Sequence, residues 1–581
     1  MKYASKYSSK LWYRTAVLAL LLLSAVTAFA DTSKISPDLL PLLSQPSTNV
    51  NVIIQYSAPP QQQSGGLLGG IIGGVVGLAL NLLGGVVHVV FSLIPAVSAT
   101  VSSGNLLAIS DQSSVVYISP DRSLSGTLDY STAAVNAPYA WSIGLDGSGV
   151  GIAIIDSGIF AHPDLNAAHS TTSRVVYRKS FIGGTKYDDY GHGTHVAGIA
   201  AGDGSASSGP GAFRTFKGVA PNANLLDLRV LDQNGMSQDS VVIAAIEEAV
   251  QLKQKYNIRV INLSLGRPIY ERCSHDPLCQ EVEAAWKSGL VVVVAAGNLG
   301  RNGYATILSP GNSPHAITVG AMKTEATYGR SDDLIASYSS KGPTYLDLTV
   351  KPDLVAPGNI VTSLFAPGTT LASEFPANLV APSVYTKSPT APPGQYFQLS
   401  GTSMATPVVS GAAALLLQSN PSLTPDAVKA RLMKTAYKAF PLMSVAVDPT
   451  TGAVYPSTYD IFTVGAGYLD IQAALNNHDS VPAPATSPSV YYNPQLQTAI
   501  LVDPAGSVWN NTTWSLTNVW GTQVIQPVGG SSAAWGTSAA WGTSAAWGSS
   551  AAWGTSAAWG TSAAWGTSAA WGTSTNGSGE K

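Results

Sequence analysis

Charge is what this sequence has least of. Only 11% of its 581 residues are Asp, Glu, Lys or Arg, and the net charge is -3. No basic stretch builds a field that gathers polyanions, so nucleic acid is excluded as a partner. Between Asp38 and Asp111 there is no charged residue at all. Cysteine is nearly absent: Cys273 and Cys279 stand six positions apart in ERCSHDPLCQ. A metal site needs more ligands than two. In an oxidising compartment the pair reads as a disulfide, the alternative being two reduced, semi-buried thiols.

The first thirty residues place Lys2, Lys6, Lys10 and Arg14 before the apolar run Ala16 to Leu23 and end in Ala28-Phe29-Ala30. That is the layout of a cleaved export signal over 1–30, and the run is short for a membrane anchor. The chain is therefore expected to be secreted or cell-surface. Residues 31–125 read as a small α/β unit, with Val52-Ile53-Ile54 and Val115-Val116-Tyr117 as strands flanking a glycine-rich apolar insertion. The insertion is long enough for residues 67–95 to contact a membrane, while its glycines weaken a helix in water and favour an apolar insert.

From about Gly149, apolar runs alternate with helical stretches, the mark of an α/β fold with a mainly parallel sheet between helices. The expected strands are Gly151 to Ile155, Asn224 to Leu231, Arg259 to Leu265, Leu290 to Ala295 and Ala316 to Ala321. The expected helices are Asp239 to Tyr256, Pro277 to Ser288, Ser403 to Gln418 and, after the cap Thr424-Pro425, Asp426 to Ala436. This domain is placed at 126–474. Residues 475–530 read as a linker or small extension, and 531–581 as a tail of SAAWGT or SAAWGS repeats. The repeat is even, so an extended chain puts its tryptophans on one face; Gly with Ser or Thr in each repeat equally suits a flexible tail. A chain ending near Asp479 is expected to stay active.

Four segments carry residue types suited to acyl transfer. Asp156 in Ile154-Ile155-Asp156-Ser157-Gly158 ends an apolar strand, where open α/β sheets bind ligands, although Asp is also common in turns. His192 opens the small-residue helix Gly191-His192-Gly193-Thr194-His195. His195, three residues on and without the Glu of HExxH, reads as structural rather than as a metal ligand. Ser403 in Gly401-Thr402-Ser403-Met404-Ala405-Thr406-Pro407 stands at a helix N-terminus, as nucleophile or as ordinary N-cap. Asn298, just beyond Val291 to Ala295, is a turn residue or a donor to a developing oxyanion.

In this order DSG, GHGTHVAG, AAGN and GTSMATP resemble the subtilisin-like serine proteases over about Tyr139 to Ala436. The resemblance implies a three-layer sandwich preceded by a small α/β pro-domain. It implies that Ser403 attacks the peptide carbonyl, His192 shuttles the proton, Asp156 orients the imidazole, and Asn298 with the Ser403 amide holds the oxyanion. Ser264, Leu265 and Gly266, with Gly235 in the Asn234 to Ser237 segment, match the family's substrate-binding strands. Leu299 stands where many relatives carry a polar or acidic residue, and Leu308 where a glycine is common at the pocket floor. A shallow apolar pocket is expected, preferring Leu, Met or Ala over Lys, Arg or large aromatics. Protein or peptide substrates are the implied partners, and residues 31–125 take the place of an intramolecular inhibitor. Catalysis requires no cofactor, and the Gly-, Ser- and Ala-rich Ala200 to Lys217 offers no recognisable calcium loop, which leaves a structural calcium ion open but unsupported by the sequence. The competing reading is a surface adhesion protein, with a protease-like scaffold and binding through its aromatic repeats.

Overall fold

The computed structural model describes residues 32–36, 39–57, 85–91, 95–120, 130–184, 187–388, 394–448, 451–493 and 498–521. The export signal at 1–30, most of the 67–95 insertion and the tryptophan repeats lie outside the described residues. The chain divides into two compact units, Met1–Leu124 and Ser125–Lys581.

In the first unit, β1 (Asn49–Tyr56), β2 (Val86–Val90), β3 (Ala96–Ser102) and β4 (Val115–Pro120) form an antiparallel sheet in the order β2-β3-β1-β4. Alternation decides which face is inside: Val52, Ile54 and Tyr56 are buried, while Asn51 and Gln55 are exposed. A short helix, α1 (Leu106–Ser110), adds Leu106 and Ile109 to the same core. The two predicted strands pair directly, Ile54 opposite Ile118. The distal end of the insertion, Val86–Val90, forms an edge strand beside β3. Among the described residues no helix is long and apolar enough to cross a membrane.

The second unit is built on eight strands: β5 (Gly151–Asp156), β6 (Val175–Ser180), β7 (Asn224–Arg229), β8 (Ile258–Leu263), β9 (Val291–Ala295), β10 (Ile317–Lys323), β11 (Leu334–Ile335) and β12 (Leu354–Pro357). Their order is β11-β10-β9-β8-β5-β7-β6, with β12 also on β10, and every pairing except β10 with β11 is parallel. Unbroken apolar runs such as Val291-Val292-Val293-Val294 belong to strands buried on both faces, and all four are buried. Four helices follow the sequence pattern closely: α3 (Asp239–Leu252), α4 (Pro277–Lys287), α5 (Thr402–Ser419) and α6 (Pro425–Thr435). Before them comes α2 (His192–Ala201). Helix α3 stops short of the expected Tyr256, and Asn257, at φ 46°, turns the chain into β8. The fold is thus α/β with a mainly parallel central sheet and covering helices, as the sequence predicts.

Residues beyond 474 also pack against this fold. Residues 480–493 and 498–521 are part of the folded unit: Val490, Val508, Trp509, Trp514, Val519 and Trp520 are buried in its main core. Trp509 Nε1 donates to the Thr486 carbonyl at 2.6 Å and Trp514 Nε1 to that of Ser480 at 2.9 Å. Ser487 enters a buried charge cluster, accepting from Lys429 Nζ at 2.8 Å and donating to Asp353 Oδ1 at 2.6 Å. The composition, rich in Pro, Ser and Thr, hides an extension of short elements, a hairpin of Ser489–Asn493 with Thr498–Val502 and the helical turn Leu516–Trp520, held by buried tryptophans.

Candidate active site

Strands β9, β8 and β5 are parallel neighbours, so their carboxyl ends share one edge. Asp156 is the last residue of β5, Ser264 follows β8, and Asn298 lies just past β9. Topology alone therefore gathers three of the predicted residues. Helices α2 and α5, which pack against each other, bring His192 and Ser403 on their first turns.

His192 Nδ1 and Asp156 Oδ1 are 2.8 Å apart, with both side chains fully buried. Ionised, a carboxylate only accepts, so Nδ1 carries the proton and Nε2 is the basic nitrogen. Asp156 Oδ1 also accepts from the Ser157 amide at 2.7 Å. The residue before His192, Gly191 at φ 100°, has no side chain to cap α2. Asp188 caps it instead: Oδ1 accepts from Gly191 N at 2.7 Å and from Ser157 Oγ at 3.0 Å, and Oδ2 accepts from Thr194 N at 3.0 Å. Burial pushes the Asp188 carboxyl above the usual carboxylate range and the nearby Asp156 charge adds to this, against the lowering by its hydrogen bonds. Gly193 must lack a side chain, because a Cβ there would lie 2.3 Å from the Gly158 carbonyl oxygen.

His195 is structural. Its Nε2 lies 3.1 Å from the Val361 carbonyl oxygen and 3.0 Å from that of Phe397. Carbonyls only accept, so Nε2 is the protonated nitrogen. Burial, with the His192 charge adding, lowers its pKa to about 3.

Ser403 is held by an unusual local device. Pro407, four residues on, has no N–H to donate, so the Ser403 carbonyl lacks its helical partner. The Ser264 hydroxyl supplies the bond at 2.8 Å. Asn262 Nδ2 donates to Ser264 Oγ at 3.0 Å, and Ser410 Oγ donates to Asn262 Oδ1 at 2.8 Å, tying the helix to β8. The Ser403 hydroxyl itself donates to the Ser264 carbonyl at 3.1 Å. Asn298 Oδ1 accepts from Thr402 N at 2.9 Å and Thr402 Oγ1 at 3.1 Å. Its oxygen is therefore spent on the start of α5, and its NH2 group is left as the donor end.

Gly235, Leu265 and Gly266 line one pocket with Leu231, Val242 and Leu278. Gly235, at φ 72°, abuts the Tyr190 ring, 2.7 Å from where its Cβ would be. Leu308 lies between two glycines: a Cβ on Gly266 would stand 3.0 Å from Leu308 Cβ, and one on Gly297 2.7 Å from Leu308 Cγ. Leu299, half-buried, does not line that pocket, nor do Leu308 and Ser264, and the Leu299 amide donates to Ser340 Oγ at 3.0 Å. Cys273 and Cys279 are joined as a disulfide. With Glu283 they form the one three-ligand cluster among the described residues. It does not fit calcium, which takes oxygen ligands, and its sulfurs are bonded to each other.

Sequence reasoning missed Asp188, Asn262, Thr402 and Ser410. A polar Asn inside the apolar run Val260-Ile261-Asn262-Leu263 was a legible signal, since a buried amide demands partners. Asp188, one turn before a helix that opens on Gly191, was another.

The profile of the subtilase family matches residues 147–467. Serine protease AprX of Bacillus subtilis (strain 168) is 38% identical over 347 residues, which is 58% of this chain and 73% of that protein. Subtilisin E of the same organism is 34% identical over 358 residues, 61% of this chain and 78% of that protein. An alkaline protease of Alkalihalobacillus alcalophilus is 33% identical over 351 residues, 60% of this chain and 75% of that protein.

Proposed function

The chain belongs to the subtilase family and is a serine-type endopeptidase acting on proteins, and from that premise we propose that Ser403, His192 and Asp156 are its catalytic triad and Asn298 its oxyanion donor. The observation that carries the assignment is the buried His192–Asp156 pair at 2.8 Å. Ser403 Oγ attacks the scissile carbonyl as His192 Nε2 removes its proton. The carbonyl oxygen becomes negative and accepts from Asn298 Nδ2 and the Ser403 amide, near the positive end of α5. Collapse of this intermediate passes the proton from His192 to the leaving amine and leaves an acyl-enzyme, which water then hydrolyses by the same route. Asp156 keeps the imidazole in the required tautomer and offsets its transient charge. Family chemistry needs no cofactor for these steps.

Export guided by residues 1–30 and inhibition by residues 31–125 before processing complete the reading. The lysine-led apolar run and the separate folding unit Met1–Leu124 support these two assignments.

Asn298→Ala tests the oxyanion assignment. Turnover should fall about 10² to 10³, the loss that follows removal of the equivalent donor in subtilisin. An unchanged kcat removes Asn298 from the mechanism.

Side-chain preference before the scissile bond follows from Leu308. Packed between Gly266 and Gly297, it fills space that a substrate side chain needs. Leu, Met or Ala should be cleaved faster than Phe, and Lys or Arg should be poor, each unaccommodated methylene costing about 1 to 3 kcal/mol. Peptide anilides varied only at this residue give the answer. A preference for Arg overturns the pocket, while Phe above Leu overturns only its shallowness.

A further inference from the structure

We propose that Asp276, inside the disulfide-closed loop Cys273–Cys279, is a positioning residue that sets the depth of the specificity pocket by pinning both of its walls. The proposal rests on the pocket reading above, in which Leu308 packs between Gly266 and Gly297. Gly266 and Leu308 are each followed by a residue that reaches Asp276. Arg267 Nη2 donates to Asp276 Oδ1 at 2.9 Å, and Ser309 Oγ donates to Asp276 Oδ2 at 2.6 Å. The backbones of the same two residues are paired, Arg267 N to Ser309 O and Ser309 N to Arg267 O, both at 2.8 Å. One carboxylate thus clamps the two wall segments immediately beyond the residues that define the pocket.

Asp276 is fully buried and has a third task, capping α4 by accepting from Leu278 N at 3.0 Å and Cys279 N at 3.3 Å. The disulfide closes the loop around it, with Cys279 fully buried and the Cys273 amide donating to Asp347 Oδ2 at 2.7 Å. Arg267 also pairs with Asp239 at 2.7 Å and approaches Glu271 at 3.9 Å. Loss of Asp276 alone therefore does not leave the guanidinium uncompensated; it removes the link to Ser309. The spacing makes the link consequential, since a Cβ on Gly266 would stand only 3.0 Å from Leu308 Cβ, so the two segments are already packed against each other. A displacement of a few tenths of an ångström changes which side chains enter, while Ser403, His192 and Asp156 sit on other elements.

The test uses the full processed chain with Asp276→Asn, Ser309→Ala and the double change Cys273→Ser/Cys279→Ser. Two assays are run: kcat and KM on anilides with Leu or Phe before the scissile bond, and the rate at which a small methylphosphonofluoridate, lacking a side chain for the pocket, labels the enzyme. We expect labelling to stay within about twofold of wild type, while the Leu-over-Phe preference falls about tenfold, chiefly through KM. A uniform fall in labelling and in both substrates means a merely structural role and overturns the proposal, as does an unchanged preference. Should Asp276→Asn fail to accumulate, Ser309→Ala removes only the clamp and still decides. Leu308→Gly separates the two levels. If it leaves the preference unchanged, the pocket reading fails and the proposal with it; if it shifts the preference while the Asp276 and Ser309 variants do not, only the proposal fails.

Discussion

Ser403→Ala should lower kcat for peptide hydrolysis by roughly a millionfold, and His192→Ala by about as much, the size of loss known for the subtilisin triad and carried over to this relative. The two changes together should be no worse than either alone, because nucleophile and base act as a unit. The fold should survive the serine change. The Ser403 side chain contributes one hydrogen bond, to the Ser264 carbonyl, whereas the helix is held there through its own carbonyl by the Ser264 hydroxyl. Steady-state kinetics on a peptide anilide, with thermal melting as control, checks both statements. If processing of the 31–125 region is autocatalytic, the unprocessed chain accumulates in the Ser403→Ala protein.

The second large effect concerns the end of the folded unit. A chain ending at Gly521 should hydrolyse small peptides like the whole protein, whereas one ending at Asp479 should fail to fold. Ending at Asp479 removes Val490, Val508, Trp509, Trp514, Val519 and Trp520 from the core. At about 1.5 to 3 kcal/mol for each large buried side chain, the loss is on the order of 10 kcal/mol, comparable to the whole stability of a domain at about 5 to 15 kcal/mol. It also strips Ser487 from a cluster in which Lys351, Asp353 and Lys429 are all fully buried. Burial lowers the Lys351 pKa to about 7, against the pull of Asp353. Circular dichroism and activity of the two shortened chains decide the point, and a folded, active chain ending at Asp479 would restore the boundary read from composition.

What was legible in the sequence follows from how each feature is written there. Strands β5, β8 and β9 are short apolar runs with no competing period, and α4 and α6 begin with a capping side chain followed by proline, so their positions were readable to within a few residues. The catalytic candidates stood in local motifs. Their supports did not: the clamp from Asp276 reaches Arg267, nine residues before it, and Ser309, thirty-three after it, and nothing in the spacing announces it. The same holds for the Ser410, Asn262 and Ser264 relay, which exists because Pro407 leaves a carbonyl unpaired. Between linker and small extension, the sequence of 475–530 left the choice open for a related reason. Its indole nitrogens bond to distant backbone, and its hairpin strands, Ser489–Asn493 and Thr498–Val502, and its helix, Leu516–Trp520, are five residues each, too short for periodicity to announce them.

The central claim is that Ser403 is a nucleophile activated by His192. Its most direct test is to react the processed protein with a fluorophosphonate and map the adduct by peptide mass. A single adduct on the peptide containing Ser403, absent in Ser403→Ala and formed orders of magnitude more slowly in His192→Ala, is the predicted result. An adduct on another residue, or labelling of Ser403 at an undiminished rate without His192, would contradict it.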